Sequence, residues 1–325
     1  MVKYALFLHD LGLTNDETRQ LLDQTGCGHA PLWASDARVK SLLNEIEVLV
    51  TANHTVNASV IADWPGLKPK MLSLAFTGYD HVDREWCESD GLSVYYVPGY
   101  STPSVAELTV CLTLSVLRRL PRADASAREG RWDWNGIQPG VELWRKTVGI
   151  LGVGNIGLAT AKRFLAFDCK VIGWNRSARE ELNEFVKLGS ERRDTPEQVF
   201  AEADVVVVHL ASNDETKHFV NRTRLSLMKP TSVLINTARG ELVDTTALVD
   251  ALRQNRIAGA GIDVFEKEPV LETDALLKLD NVVATPHLGF KTKEALRRLA
   301  EDTIGNIGRW VRKDPCNRLL PKTRA

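Results

Sequence analysis

Thr147-Val148-Gly149-Ile150-Leu151-Gly152-Val153-Gly154-Asn155-Ile156-Gly157 is the stretch that decides the fold. Val148, Ile150, Leu151 and Val153 make a short apolar run, suited to a strand buried on both faces. Gly152, Gly154 and Gly157 then spell G-x-G-x-x-G, and residues 158–165 follow with helix-compatible side chains and neither Gly nor Pro. A strand that enters a helix through this spacing can seat a dinucleotide. Gly152 allows the tight turn, Gly154 leaves room for a pyrophosphate, and Gly157 lets helix and strand pack closely. The N–H groups and the dipole at the helix start favour an anion there.

The motif alone is weak, because methyltransferases and Gly-rich turns also carry it. The residues that follow strengthen it. Residues 171–174 read as a second strand, and Asn175 fills the slot after it, followed by Arg176 and Ser177. An NAD site usually places Asp or Glu there, about 20 residues past the glycines, on the ribose 2′-hydroxyl. An uncharged residue followed by Arg suits a 2′-phosphate instead, since no carboxylate repels it and a guanidinium can bond it in pairs. NADP(H) is therefore expected ahead of NAD(H), with NAD still possible. The plainer alternative is that Arg176 is a solvated loop charge.

The chain of 325 residues has room for two domains. With 44% apolar and 26% charged residues it reads as globular and soluble. A net charge of −1 gives no electrostatic case for nucleic acid or an anionic membrane. The first residues are too short an apolar run for a signal peptide, and no stretch approaches a membrane span. Cys27, Cys87, Cys111, Cys169 and Cys316 are scattered and odd in number, which suggests reduced cytoplasmic thiols and gives no metal spacing.

In the first hundred residues strand-like runs at 4–8, 48–51, 71–76 and 93–97 alternate with helix-like segments at 16–24, 57–62 and 82–89. Thr14 or Asn15 can cap the first helix, and Gly91 can end the third. Such alternation predicts an α/β fold with a parallel, doubly wound sheet, separate from the dinucleotide unit. Thr77-Gly78-Tyr79-Asp80 lies at the C-terminal end of one strand, where ligands of open sheets bind. It reads either as an N–H nest for a substrate carboxylate or as an ordinary loop in which Asp80 caps the next helix.

Residues 98–103 are Pro/Gly/Ser/Thr-rich and predict a crossover, followed by an apolar helix over 105–117 that carries Glu107. Residues 121–146 are polar yet hold Trp132, Trp134 and Trp144, which suit a contact with a second copy or cover for their own domain. Apolar runs at 205–210, 233–236, 261–264 and 282–285 bring the second sheet to six strands. A last helix is expected over 294–310, with a polar tail after it. The later strands end in Thr237-Ala238-Arg239-Gly240, Asp263 through Pro269, and Thr285-Pro286-His287-Leu288-Gly289.

Taken together, Thr77 to Asp80, Ser104-Val105-Ala106-Glu107, the Gly152–Gly157 motif and these three strand ends resemble the D-2-hydroxyacid dehydrogenase family, over about residues 46 to 312. The resemblance implies two doubly wound domains. A flavodoxin-like substrate domain takes 1–100 and 290–325, and a Rossmann domain takes 101–289 and usually supplies a homodimer contact. It implies that His287 is the general acid/base, that Glu268 is its carboxylate partner, and that Arg239 binds the substrate carboxylate and carbonyl. Thr77 and Gly78 would hold the carboxylate, with His54 near the substrate. Cofactor contacts are implied at Gly152, Gly154, Asn155, Ile156, Gly157, Asn175, Arg176, Ser177, Leu210, Thr216, Thr237, Ala238, Asp263 (toward the nicotinamide amide) and Gly289. A small 2-oxo or 2-hydroxy acid such as glyoxylate or hydroxypyruvate is the implied substrate.

The chain departs from the family pattern at three points. Asn175-Arg176-Ser177 replaces the NAD-type acid. His54 stands where many relatives carry Arg or Lys, which suits a larger, less acidic or differently placed substrate, or a bystander. Ala211-Ser212-Asn213 replaces Pro-Leu-Thr beside the cofactor. Two other readings share the fold: a dehydrogenase of another hydride donor such as formate or phosphite, and a dinucleotide-sensing corepressor-like protein without turnover.

Overall fold

The computed structural model describes residues 2–28, 31–52, 55–79, 82–132, 134–177 and 180–320. The chain divides into two compact units, Met1–Ser101 with Thr292–Ala325, and Thr102–Lys291. Its strands, in chain order, are β1 (Tyr4–Phe7), β2 (Leu32–Trp33), β3 (Ile46–Thr51), β4 (Met71–Leu74), β5 (Ser93–Tyr95), β6 (Thr147–Leu151), β7 (Lys170–Trp174), β8 (Glu191–Arg192), β9 (Val205–Val208), β10 (Val233–Asn236), β11 (Gly259–Ile262), β12 (Val282–Ala284) and β13 (Arg318–Leu320).

In the first unit the sheet order is β13-β5-β4-β3-β1-β2. β1 to β5 pair in parallel in the flavodoxin-like order, because their apolar runs are covered on both faces. The helix Lys293–Val311 returns to this unit from the far end of the chain. Its Ile304 and Ile307 are buried with Phe7, Val50, Met71 and Tyr95. Ser73 Oγ donates to Thr303 O at 2.6 Å, and Asn306 Nδ2 donates to Tyr96 O at 3.0 Å. The helix Asn15–Asp23 starts at Thr14 with a reciprocal capping box to Glu17.

In the second unit all seven strands are parallel, in the order β12-β11-β10-β9-β6-β7-β8. β6 and β9 lie side by side where the winding direction reverses, the switch point beyond whose strand ends a doubly wound sheet binds its ligand. The helix Thr102–Leu117 packs Leu112 and Leu117 against Val148, Ile150 and Ile235.

Several expectations need correction. The helix expected at 57–62 is a short 3-10 turn, Ala58–Ile61, begun by Asn57. Asp83, not Asp80, caps the helix Arg84–Ser89; Asp80 lies outside the described residues. The stretch 121–146, for which only a polar character was expected, begins inside a helix, Leu120–Arg128, with Pro121 in its first turn, where the missing N–H costs nothing. The second sheet gains a seventh strand in the two-residue edge β8. The tail holds β13, whose antiparallel pairing with β5 means that the first sheet is not parallel throughout.

Candidate functional site

The three motif glycines sit where three different constraints act. Gly152 has φ +98°, and a Cβ on it would meet His209 O at 2.5 Å. A Cβ on Gly157 would collide with the Gly152 carbonyl, so close packing of helix on strand requires glycine there. Around Gly154, no atom of the described residues lies within 4 Å of a Cβ position. Gly154 is the N-cap of the helix Asn155–Leu165, which Asn155 and Ile156 open, and among the described residues no side chain caps that start. This open space before a helix N-terminus fits a pyrophosphate.

Beside it, Asn175 clamps the motif turn. Its Oδ1 accepts Val153 N–H at 2.6 Å and its Nδ2 donates to Val153 O at 2.9 Å. The expected ribose contact thus falls on an amide that already holds the glycine turn in place. Arg176 forms an ion pair with Glu215, and Ser177 follows it at the end of a described segment. Leu210 is half-buried against the core below. Thr216 Oγ1 donates to Ala211 O and accepts Asn213 N–H, both at 2.8 Å, and so closes the turn after β9. Sequence reasoning missed His209, whose Nε2 lies 3.0 Å from Thr160 Oγ1 and whose imidazole burial pushes down to about 3. The available signal was its place at the end of an all-valine strand.

The ends of β10, β11 and β12 assemble a second cluster in the same unit. Asp263 is fully buried. Its Oδ1 accepts Thr285 Oγ1 at 2.6 Å and Leu288 N–H at 2.7 Å, and its Oδ2 accepts Gly289 N–H at 2.9 Å. Ser104 Oγ donates to Gly289 O at 2.6 Å. Asp263, expected to meet a nicotinamide amide, accepts three hydrogen bonds from the loop that carries His287. That loop places His287 at φ +52°, an uncommon conformation for a residue with a side chain.

His287 Nδ1 lies 2.8 Å from Glu268 Oε2, and Glu268 Oε1 accepts Phe265 N–H at 3.0 Å. Burial alone would raise the Glu268 carboxyl. The hydrogen bonds from His287 and Phe265, with the charges of His287 and Arg239, outweigh it and hold the carboxyl below its usual range. Arg239 follows β10 in a turn pinned by the buried Asn236, whose Nδ2 donates to Arg239 O at 2.9 Å and whose Oδ1 accepts Ala238 N–H at 3.1 Å. Thr237 Oγ1 lies 2.9 Å from Thr109 Oγ1. With Nδ1 facing a carboxylate, Nε2 is the imidazole atom left to exchange a proton with a ligand.

In the first unit, Thr77 and Gly78 follow β4 at the C-terminal edge, and Thr77 Oγ1 donates to Val97 O at 2.6 Å. His54 lies outside the described residues. Glu107 pairs with Arg163 at 2.8 Å. Among the described residues no cluster of His, Cys, Asp and Glu could hold a metal ion, and no helix is long and apolar enough to cross a membrane.

Residues 110–289 match the model of the D-isomer specific 2-hydroxyacid dehydrogenase NAD-binding domain. A glyoxylate reductase of Thermofilum pendens is 40% identical over 272 residues, 83% of this chain and 79% of that one. A hydroxypyruvate reductase of Thermotoga maritima is 35% identical over 313 residues, 94% of this chain and 98% of that one. Among solved structures, an NADPH-dependent glyoxylate/hydroxypyruvate reductase of Sinorhizobium meliloti superposes with a TM-score of 0.79 at 29% identity, covering 95% of each chain.

Proposed function

The chain belongs to the D-2-hydroxyacid dehydrogenase family, and we propose that it reduces a small 2-oxo acid of the glyoxylate or hydroxypyruvate kind with NADPH in preference to NADH. One observation carries the reading: His287 is paired with Glu268 at 2.8 Å in the unit whose glycine turn fits a pyrophosphate. A bound dinucleotide would supply the hydride. His287 gives a proton from Nε2 to the carbonyl oxygen as the hydride arrives at carbon, and takes it back in the reverse direction. Glu268 orients the ring and offsets its positive charge. Arg239 bonds the substrate carboxylate and polarises the carbonyl.

Arg176 supports the NADPH preference, because its guanidinium stands one residue beyond the Asn175 clamp and can pair with a 2′-phosphate. The exposed Trp132, Trp134 and Trp144 support a homodimer through the second unit, which sedimentation of the protein and its Trp-to-Ser variants checks. The five free cysteines support work in the cytoplasm.

The test is steady-state reduction of glyoxylate, hydroxypyruvate and a bulkier 2-oxo acid, each with NADPH and NADH. Turnover of a small 2-oxo acid with higher kcat/KM for NADPH is expected. No turnover of any 2-oxo acid with either dinucleotide would overturn the reading.

A further inference from the structure

Arg176 is already occupied by an anion of the protein's own. Its guanidinium pairs with the carboxylate of Glu215, in the turn after β9, while Arg176 itself follows β7. These two strands flank β6, so both turns lie at the edge that carries the glycine motif. Each backbone is anchored independently. On one side Asn175 is locked onto Val153 at 2.6 and 2.9 Å. On the other, Glu215 N–H donates to Asn213 Oδ1 at 3.0 Å, and Thr216 N–H to Asn213 O at 3.0 Å. Both side chains are mostly exposed, 62% and 73%, so exchanging the partner of Arg176 requires no rearrangement of the core.

We propose that Glu215 is a specificity-determining residue: an internal counter-anion for Arg176 that a 2′-phosphate must displace and that remains in place when the ribose carries only a hydroxyl. This inference rests on the assignment of Arg176 to the 2′-phosphate and deepens it. A phosphate monoester carries close to two negative charges at neutral pH and bonds a guanidinium in a paired geometry, so it outcompetes a carboxylate for Arg176. Displacement still weakens NADPH, both through the lost ion pair and through the carboxylate left near the phosphate. NADH pays neither penalty, because Arg176 keeps its partner. Glu215 thus narrows the gap between the two dinucleotides and lets one site accept both.

The experiment is fluorescence titration of NADPH and NADH into the parental protein, Glu215→Gln and Arg176→Ala at low ionic strength. Exposed ion pairs and close like charges in water are worth a few-fold each, so Glu215→Gln should tighten NADPH about three- to tenfold and leave NADH within about twofold. High salt should shrink the difference. An unchanged NADPH-to-NADH ratio in Glu215→Gln, with the ratio collapsed in Arg176→Ala, would overturn the role of Glu215 while leaving Arg176 on the phosphate. Equal losses of both dinucleotides in Arg176→Ala would remove the assignment beneath it, and this inference with it.

Discussion

Glu268 Oε2 lies 2.8 Å from His287 Nδ1, while the other carboxylate oxygen of Glu268 accepts the Phe265 N–H. The acid is therefore fixed by the backbone on one side and fixes an imidazole on the other. A carboxyl held below its ordinary range is charged at neutral pH.

Glu268→Gln should slow carbonyl reduction more than it disturbs the fold. Without the carboxylate at Nδ1 the imidazole loses the group that orients it, so kcat should fall about tenfold or more while dinucleotide affinity stays close to that of the parent. A variant with the parent's kcat contradicts the pairing. The same carboxyl also stabilises the folded chain. Because its folded value is depressed from 4.5, its contribution is present above about pH 4.5 and is lost as the pH falls through the folded value. Unfolding midpoints of parent and Glu268→Gln should therefore converge in acid.

Asp263→Ala should damage stability and activity together. The buried carboxylate accepts two N–H groups and one hydroxyl of the His287 loop. Each buried donor left without an acceptor costs about 1–3 kcal/mol. Thermal unfolding should fall by several degrees, with turnover lost while dinucleotide affinity falls less. Wild-type stability would mean that the loop does not depend on this carboxylate.

The motif glycines should separate in their effects. Gly152→Ala places a Cβ against His209 O at a positive φ and should destabilise the fold. Gly154→Ala meets no atom of the described residues within 4 Å and should unfold like the parent, yet bind dinucleotide weakly because the methyl fills the pyrophosphate space. Calorimetry paired with cofactor titration checks both. Loss of stability in Gly154→Ala with normal binding would reverse the assignment.

The sequence made legible what depends on local chemistry. All-apolar runs such as Val205–Val208 announce buried parallel strands, and the motif glycines announce the turn, because few other residues satisfy those backbones. The strand ends carrying Arg239, Glu268 and His287 could be read as one cluster, since parallel strands deliver their C-termini to one edge. What could not be read depends on partners distant in sequence. β13 exists because Arg318–Leu320 finds β5, and nothing in the polar tail says so. That Asn175 grips Val153, that Asp263 accepts three donors of the His287 loop, and that Arg176 meets Glu215 are choices of side-chain partner, which spacing does not encode.

The most direct test of the account is single-turnover oxidation of bound NADPH by a 2-oxo acid in His287→Ala, with NADPH affinity measured on the same protein. NADPH binding should be unchanged and the rate lower by about 10²–10⁴-fold, the usual effect of a positioned acid. A rate within a few-fold of the parent, with NADPH still bound, would contradict it.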